Sequence, residues 1–169
     1  MKLSADEMLY AASLEKDPAK KEEIYKKTSA YYDRDYRAYN NLAALEMSKG
    51  NYDQAQTYLN KAAAIDRNGG EIYANEGLIA LKNGNLAEAE NLIGKAANCK
   101  GFGQAMGTLY IAKGNYSGAM QTLREQDTNT AALANILVND LSGAKAALNK
   151  VKNPDGMTNY LHAIVCARQ

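Results

Sequence analysis

Gly50-Asn51-Tyr52-Asp53-Gln54-Ala55 returns as Gly84-Asn85-Leu86-Ala87-Glu88-Ala89, a period of about 34 residues. It returns again, over a shorter step, as Gly114-Asn115-Tyr116-Ser117-Gly118-Ala119. A weakened copy, Asn139-Asp140-Leu141-Ser142-Gly143-Ala144, follows over a step shorter still. Recurrence at this length marks a chain built from one supersecondary unit used repeatedly. Counting back one full period from Gly50 reaches Lys16-Asp17-Pro18, which reads as the same turn without its glycine.

The stretches between the hexads read as helices. Ala55, Tyr58, Leu59, Ala62 and Ile65 recur at the spacing of one apolar helical stripe. Glycine at 50, 84 and 114 suits the left-handed residue that ends a helix, and each Asn or Asp after it suits an N-cap. Each unit is therefore helix, tight turn, helix. Residues 36–126 are expected to hold three such pairs, with turns at the three glycines. Small residues at Ala43, Gly77, Ala55, Ala89, Ala119 and Ala144 mark close helix approaches, while Tyr39, Tyr73, Leu59 and Ile93 fill the gaps. One pair cannot bury its own apolar face, so stability comes from stacking. No period-two pattern is sustained, and strands are not expected.

This pattern resembles the tetratricopeptide repeat, whose unit has about 34 residues. Small residues at Ala43, Ala55 and Ala62, and again at Gly77, Ala89 and Ala96, carry the resemblance, with Leu42, Gly50 and Tyr52 beside them. It is strongest over 36–103. Glu46 and Ala80 depart from it, standing where the family places an aromatic residue. The resemblance implies an all-α, right-handed α-solenoid: one domain over 1–169 of about five helix pairs plus a final helix.

Composition excludes several functions. Twenty Lys and Arg against 19 Asp and Glu give a net charge of +1, unlike a chain that tracks nucleic-acid phosphates or lies on an anionic membrane. No stretch has the roughly 20 apolar residues of a membrane span. Two Cys make no disulfide framework, and a single His makes no metal or relay site. His162 has no Asp, Glu or Ser one turn away, and Gly101-Phe102-Gly103 follows no strand, so it reads as a turn rather than a phosphate loop. Cys99 and Cys166 read as small buried hydrophobes. Tyr31, Tyr32 and Tyr36 read as packing between the first two units. No enzyme, cofactor or metal is expected.

The expected partner is a protein or peptide. In the tetratricopeptide family the first helix of each pair lines the concave surface. That resemblance assigns Arg37, Asn40, Asn41, Ala44, Met47 and Ser48 to the groove, then Glu71, Ala74, Asn75, Leu78, Leu81 and Lys82, then Gln104, Ala105, Thr108 and Ile111. The candidate ligand readers are Arg37, Asn40, Asn41, Asn75 and Lys82: amides both donate to and accept from a peptide backbone, and the cations meet carboxylates. The alternative is a structural spacer or oligomerisation module of a larger protein. Ser4-Ala5-Asp6-Glu7 reads as a capping box, and Tyr160–Arg168 as a last helix. A chain that starts and stops on helices reads as part of a longer protein with a further domain. Residues 153–161 are faintly similar to repeat segments of Gram-negative envelope proteins. The expected location is the periplasm on that reading and the cytoplasm otherwise.

Overall fold

The computed structural model describes residues 2–169, and the described residues form eleven helices and no strand. In chain order these are α1 (Ala5–Leu14), α2 (Pro18–Tyr31), α3 (Tyr36–Ser48), α4 (Tyr52–Ile65), α5 (Gly70–Lys82) and α6 (Leu86–Lys95). There follow α7 (Phe102–Ala112), α8 (Tyr116–Thr122), α9 (Asn129–Leu137), α10 (Leu141–Asn149) and α11 (Gly156–Arg168). Successive helices pack as hairpins, α1 with α2 through α9 with α10. The hairpins stack so that α3, α5, α7, α9 and α11 run as neighbours. In that row α11 takes the place of a sixth first helix. No described helix is long and apolar enough to cross a membrane.

One turn is built four times. Gly50, Gly84 and Gly114 have φ of 82°, 77° and 76°, and Asn139 has 65°. The residue after each donates its N–H back to the helix just ended: Asn51 to Glu46 O, Asn85 to Ala80 O, Asn115 to Tyr110 O and Asp140 to Asn135 O, all at 2.8–2.9 Å. This is a Schellman closure, and its last residue is also the N-cap of the next helix. Sharing that residue keeps the two helices close. Asn139 fills the glycine position in the weakened copy because asparagine tolerates left-handed backbone better than other side chains. Asn85, Asn115 and Asp140 accept the expected capping bonds, from Glu88, Gly118 and Gly143 N–H.

Asn51 departs from the expected cap. Its amide donates instead to Glu46 Oε2 at 2.8 Å, and Lys49 Nζ reaches Glu46 Oε1 at 2.8 Å and Glu22 Oε2 at 2.5 Å. Glu46 is a buried carboxylate at a position where an aromatic would pack, and these two donors satisfy it. Lys49 thereby ties α2 to α3. At the first turn, Asp17 caps α2 with Pro18 at its first position, so no glycine is needed.

The core repeats a single contact. Ala43, Gly77, Gly107 and Ala132 on the first helices are buried, and Leu59, Ile93, Leu123 and Leu148 follow them at one constant offset, on the second helices or, for Leu123, at the C-cap of α8. A Cβ on Gly77 would come within 2.5 Å of Ile93 Cγ1, and one on Gly107 within 2.5 Å of Leu123 Cδ1. Small residues on one helix thus admit large ones from its partner. Ala55, Ala89, Ala119 and Ala144 are also fully inaccessible, bringing the second helices in.

Other sequence expectations need correction. The last helix begins at Gly156, not Tyr160, because Asp155 and Thr158 form a capping box: Thr158 N–H donates to Asp155 Oδ1 at 2.9 Å, and Asp155 N–H to Thr158 Oγ1 at 3.0 Å. Cys99 lies in the turn after α6, its sulfur against Gly70, and Cys166 is exposed. The tyrosines divide. Tyr36 donates to Glu71 at 3.2 Å and Tyr32 to the Leu3 carbonyl, but Tyr31 is 57% exposed under the Lys2 ammonium.

This packing makes two outcomes measurable. Ala55→Leu and Ala89→Leu should each lose about 1–3 kcal/mol in urea denaturation, while Ala64→Leu, on the exposed face of α4, should stay within about 0.5 kcal/mol. The Glu22–Lys49–Glu46 cluster should also make stability depend on pH. Hydrogen bonds from Lys49 and then Asn51 hold Glu46 below its ordinary pKa, and bonds from Lys26 and then Lys49 do so for Glu22. A lowered folded-state pKa adds stability that is present above the unfolded value and lost as pH falls through the folded one. Lys49→Met should therefore destabilise at pH 7, with a penalty that shrinks as acid titration passes below about pH 4.

Candidate functional site

The row of first helices leaves a cleft of about 800 Å³. Met47 and Ser48 enter it from the last turn of α3, and Leu78, Leu81 and Lys82 from the last turns of α5. Gln104, Thr108, Ile111 and Ala112 enter from α7, Thr130 from α9, and Tyr52 and Asp155 complete the lining. These side chains share a face because positions 78, 81 and 82 recur at helical spacing. Met47, Leu78, Leu81 and Ile111 are only half-buried. The hydrophobic floor is thus accessible from solvent.

The cleft has unlike ends. At the α3–α5 end, Lys82 Nζ sits 5.5 Å from the centre of the Tyr52 ring, a cation held on an aromatic face. At the α9–α11 end stands Asp155, whose carboxylate is held below its ordinary pKa, chiefly by the Thr158 N–H. Asn129 Nδ2 also donates to it, at 3.1 Å. Between the ends, Gln104 Nε2 donates to Thr130 Oγ1, and Thr128 Oγ1 donates to Gln104 Oε1 at 3.3 Å, joining α7 to α9. The cleft therefore offers a positive end, an apolar floor and a negative end.

The five candidate readers part company. Lys82 lies in the cleft. Asn75 Nδ2 donates to Asn40 Oδ1 at 2.9 Å, and Asn40 is buried, so these amides meet each other across α3 and α5. Arg37 closes on Asp35 at 2.6 Å and Asp6 at 2.7 Å, and those hydrogen bonds raise its pKa further. Asn41 is half-buried and outside the cleft lining. Of the apolar groove positions, Met47, Leu78, Leu81 and Ile111 are brought together as the register places them. Sequence reasoning misses Tyr52, Ala112, Thr130 and Asp155. Tyr52 opens a second helix, Thr130 lies within the second shortened step and Asp155 beyond it, though the Asp155-x-x-Thr158 capping pattern is visible in the sequence.

Known proteins share both the repeat and the architecture. A family model described as Tetratricopeptide repeat matches residues 36–68. No curated protein sequence matches the chain. Among solved structures, the chain resembles a tetratricopeptide repeat protein from Parabacteroides merdae ATCC 43184 at a TM-score of 0.60 and 14% identity, over 96% of this chain and 71% of that one. It resembles a structure described as the APC/C hetero-tetramer Cut9-Hcn1 at a TM-score of 0.65 and 15% identity, over 93% of this chain and 35% of that one. The Pseudomonas aeruginosa pilF structure is similar at a TM-score of 0.57 and 12% identity, over 96% of this chain and 83% of that one. The fold is that of a tetratricopeptide-repeat solenoid, as the repeat register implied.

The amide pair generates a direct test. In a double-mutant cycle, Asn40→Ala and Asn75→Ala should show a coupling of about 0.5–1.5 kcal/mol in unfolding free energy. Additive effects would mean that the two amides do not meet in solution.

Proposed function

We propose that this tetratricopeptide-repeat chain is a protein-interaction scaffold that takes an extended peptide segment of a partner into the cleft along α3, α5, α7 and α9. The observation that carries the reading is the half-buried floor of Met47, Leu78, Leu81 and Ile111 between Lys82 and Asp155. Apolar side chains of the peptide fill that floor. An acidic residue meets Lys82, and a basic one meets Asp155. Neighbouring helices stand about 8–10 Å apart and an extended chain advances about 3.3 Å per residue, so the peptide meets a new helix about every three residues. Asn75 and Asn41 flank this path as secondary contacts, while Arg37 and Asn40 hold the first helices in place. The Cut9-Hcn1 structure, similar in fold, is described as a hetero-tetramer, which supports the class of partner.

The hairpins and α11 act as one domain of a longer protein on this reading. A second role as a spacer or oligomerisation module draws support from a different observation: Tyr10 and Leu14 on α1 are 67% and 64% exposed, and Met157 and Tyr160 on α11 are 53% and 62% exposed. Light scattering of the wild type beside Tyr10→Ser with Leu14→Ser tests it. Loss of a dimer in the variant supports the module, and a monomeric wild type removes self-association.

The groove is tested by selecting peptides from a random display library on the intact chain and measuring the best binder by calorimetry. Leu81→Ser should weaken binding about tenfold or more, the equivalent of one buried apolar contact. Lys82→Glu should weaken it at low salt, with an effect that shrinks as ionic strength rises. Gln54→Ala, exposed on α4, should leave it unchanged. Should Gln54→Ala weaken binding while Leu81→Ser does not, the interaction surface lies on the second helices.

A further inference from the structure

On the side of the solenoid where α4 and α6 flank α5, a second pocket of about 290 Å³ is built around Glu76. Glu76 stands one repeat after Leu42 and one repeat before Met106, so it puts a carboxylate into a register that is otherwise apolar. Its side chain is only 10% exposed. Arg67 Nη1 takes one oxygen, Oε1, at 3.1 Å, and the same guanidinium lies 5.1 Å from the centre of the Tyr73 ring. The other oxygen, Oε2, is buried and has no hydrogen-bond partner among the described residues. A buried acceptor in this condition is costly unless something donates to it.

We propose that this pocket binds a primary alkylammonium group, the headgroup and stem of a lysine side chain or of a free amine. Charge comes first. Glu76 and Glu88 both line the pocket against the single guanidinium of Arg67, which leaves one negative charge uncompensated. Geometry selects the kind of cation. An ammonium has three donors, and the lining residues Glu76, Glu88, Gln56 and Asn83 carry side-chain oxygens able to accept them, Glu76 Oε2 being the one without a partner. An arginine fork prefers both oxygens of one carboxylate, and Arg67 already holds one of those on Glu76. No group of three or more His, Cys, Asp or Glu able to hold a metal ion occurs among the described residues. Ile79 and Leu92 supply apolar wall for a methylene stem. At roughly 30 Å³ per small group, the volume admits the five heavy atoms of such a chain.

The experiment follows amide signals of the intact protein during titration with n-butylammonium chloride, beside tetramethylammonium chloride at matched ionic strength. Butylammonium should shift signals clustered at residues 76, 79, 83 and 88, and tetramethylammonium, which has no N–H, should not. E76Q keeps the shape, removes the charge and should bind about tenfold more weakly or worse. E76L restores the apolar residue of this register and should abolish the shifts, while the spectrum elsewhere stays folded. A repeat with acetylated, amidated lysine separates the sources: tighter binding than butylammonium assigns the pocket to a protein lysine, and weaker binding assigns it to a free amine. Equal shifts from both salts, or butylammonium binding unaltered in E76Q and E76L, would overturn the proposal and leave Glu76 as the ion-pair partner of Arg67.

Discussion

Everything in this solenoid depends on how close two helices of a hairpin come, and a wedge of one large side chain into one small residue sets that distance. Ile93 comes within 2.5 Å of where a Cβ of Gly77 would be, and Leu123 does the same at Gly107. In the second and fifth hairpins alanine opposes Leu59 and Leu148, and all of these residues are buried. Protein interiors tolerate little change in volume, so the wedge fixes spacing in a way that a uniform leucine core would not. With the hairpins held thin, the first helices can lie side by side. The cleft is the consequence of that row.

The turn protects the same spacing along the chain. Each Schellman closure uses a single residue as the end of one helix and the cap of the next. Shortening a unit therefore removes helix while sparing the turn. The step from Gly84 to Gly114 holds α6 and α7, of 10 and 11 residues, and the step from Gly114 to Asn139 holds α8 and α9, of 7 and 9, against 14 and 13 for α4 and α5. The wedge and the turn survive in the short units because both are local to a hairpin.

This division explains what is legible in the sequence. The hexads, the wedge positions and the helix spans over 36–126 are local patterns, and the chain states them directly. The apolar half of the cleft is legible too, because Met47, Leu78, Leu81 and Ile111 follow the register. Polar side chains are harder to place. Asn40 and Asn75 look the same in sequence whether they face a ligand or each other, and only the stacking of α3 on α5 brings them to 2.9 Å. Arg37 reads as a groove cation because nothing in the sequence shows that it folds back on the N-cap Asp35, nor that the fold brings Asp6 of α1 to it. The start of α11 escapes a reading of apolar spacing, although Asp155 and Thr158 spell a cap.

Polar residues at apolar positions of the repeat separate into two kinds, and α2–α6 hold an example of each. Glu46 is buried but complete, with Lys49 and Asn51 donating to its two oxygens, and its role is to join neighbouring helices. Glu76 is nearly as deep but half satisfied. The two differ in register: Glu46 sits one turn before its left-handed glycine, where the closing turn delivers Asn51, and Glu76 sits a further turn back from its own, beyond that reach. Positions 76, 79, 80 and 83 form one stripe of α5, while 78, 81 and 82 form another that lines the cleft. At 3.6 residues per turn these stripes point to different sides of the helix. One helix thus carries an apolar floor on one side and an incomplete carboxylate on the other, and a change to either stripe leaves the other facing its own neighbours.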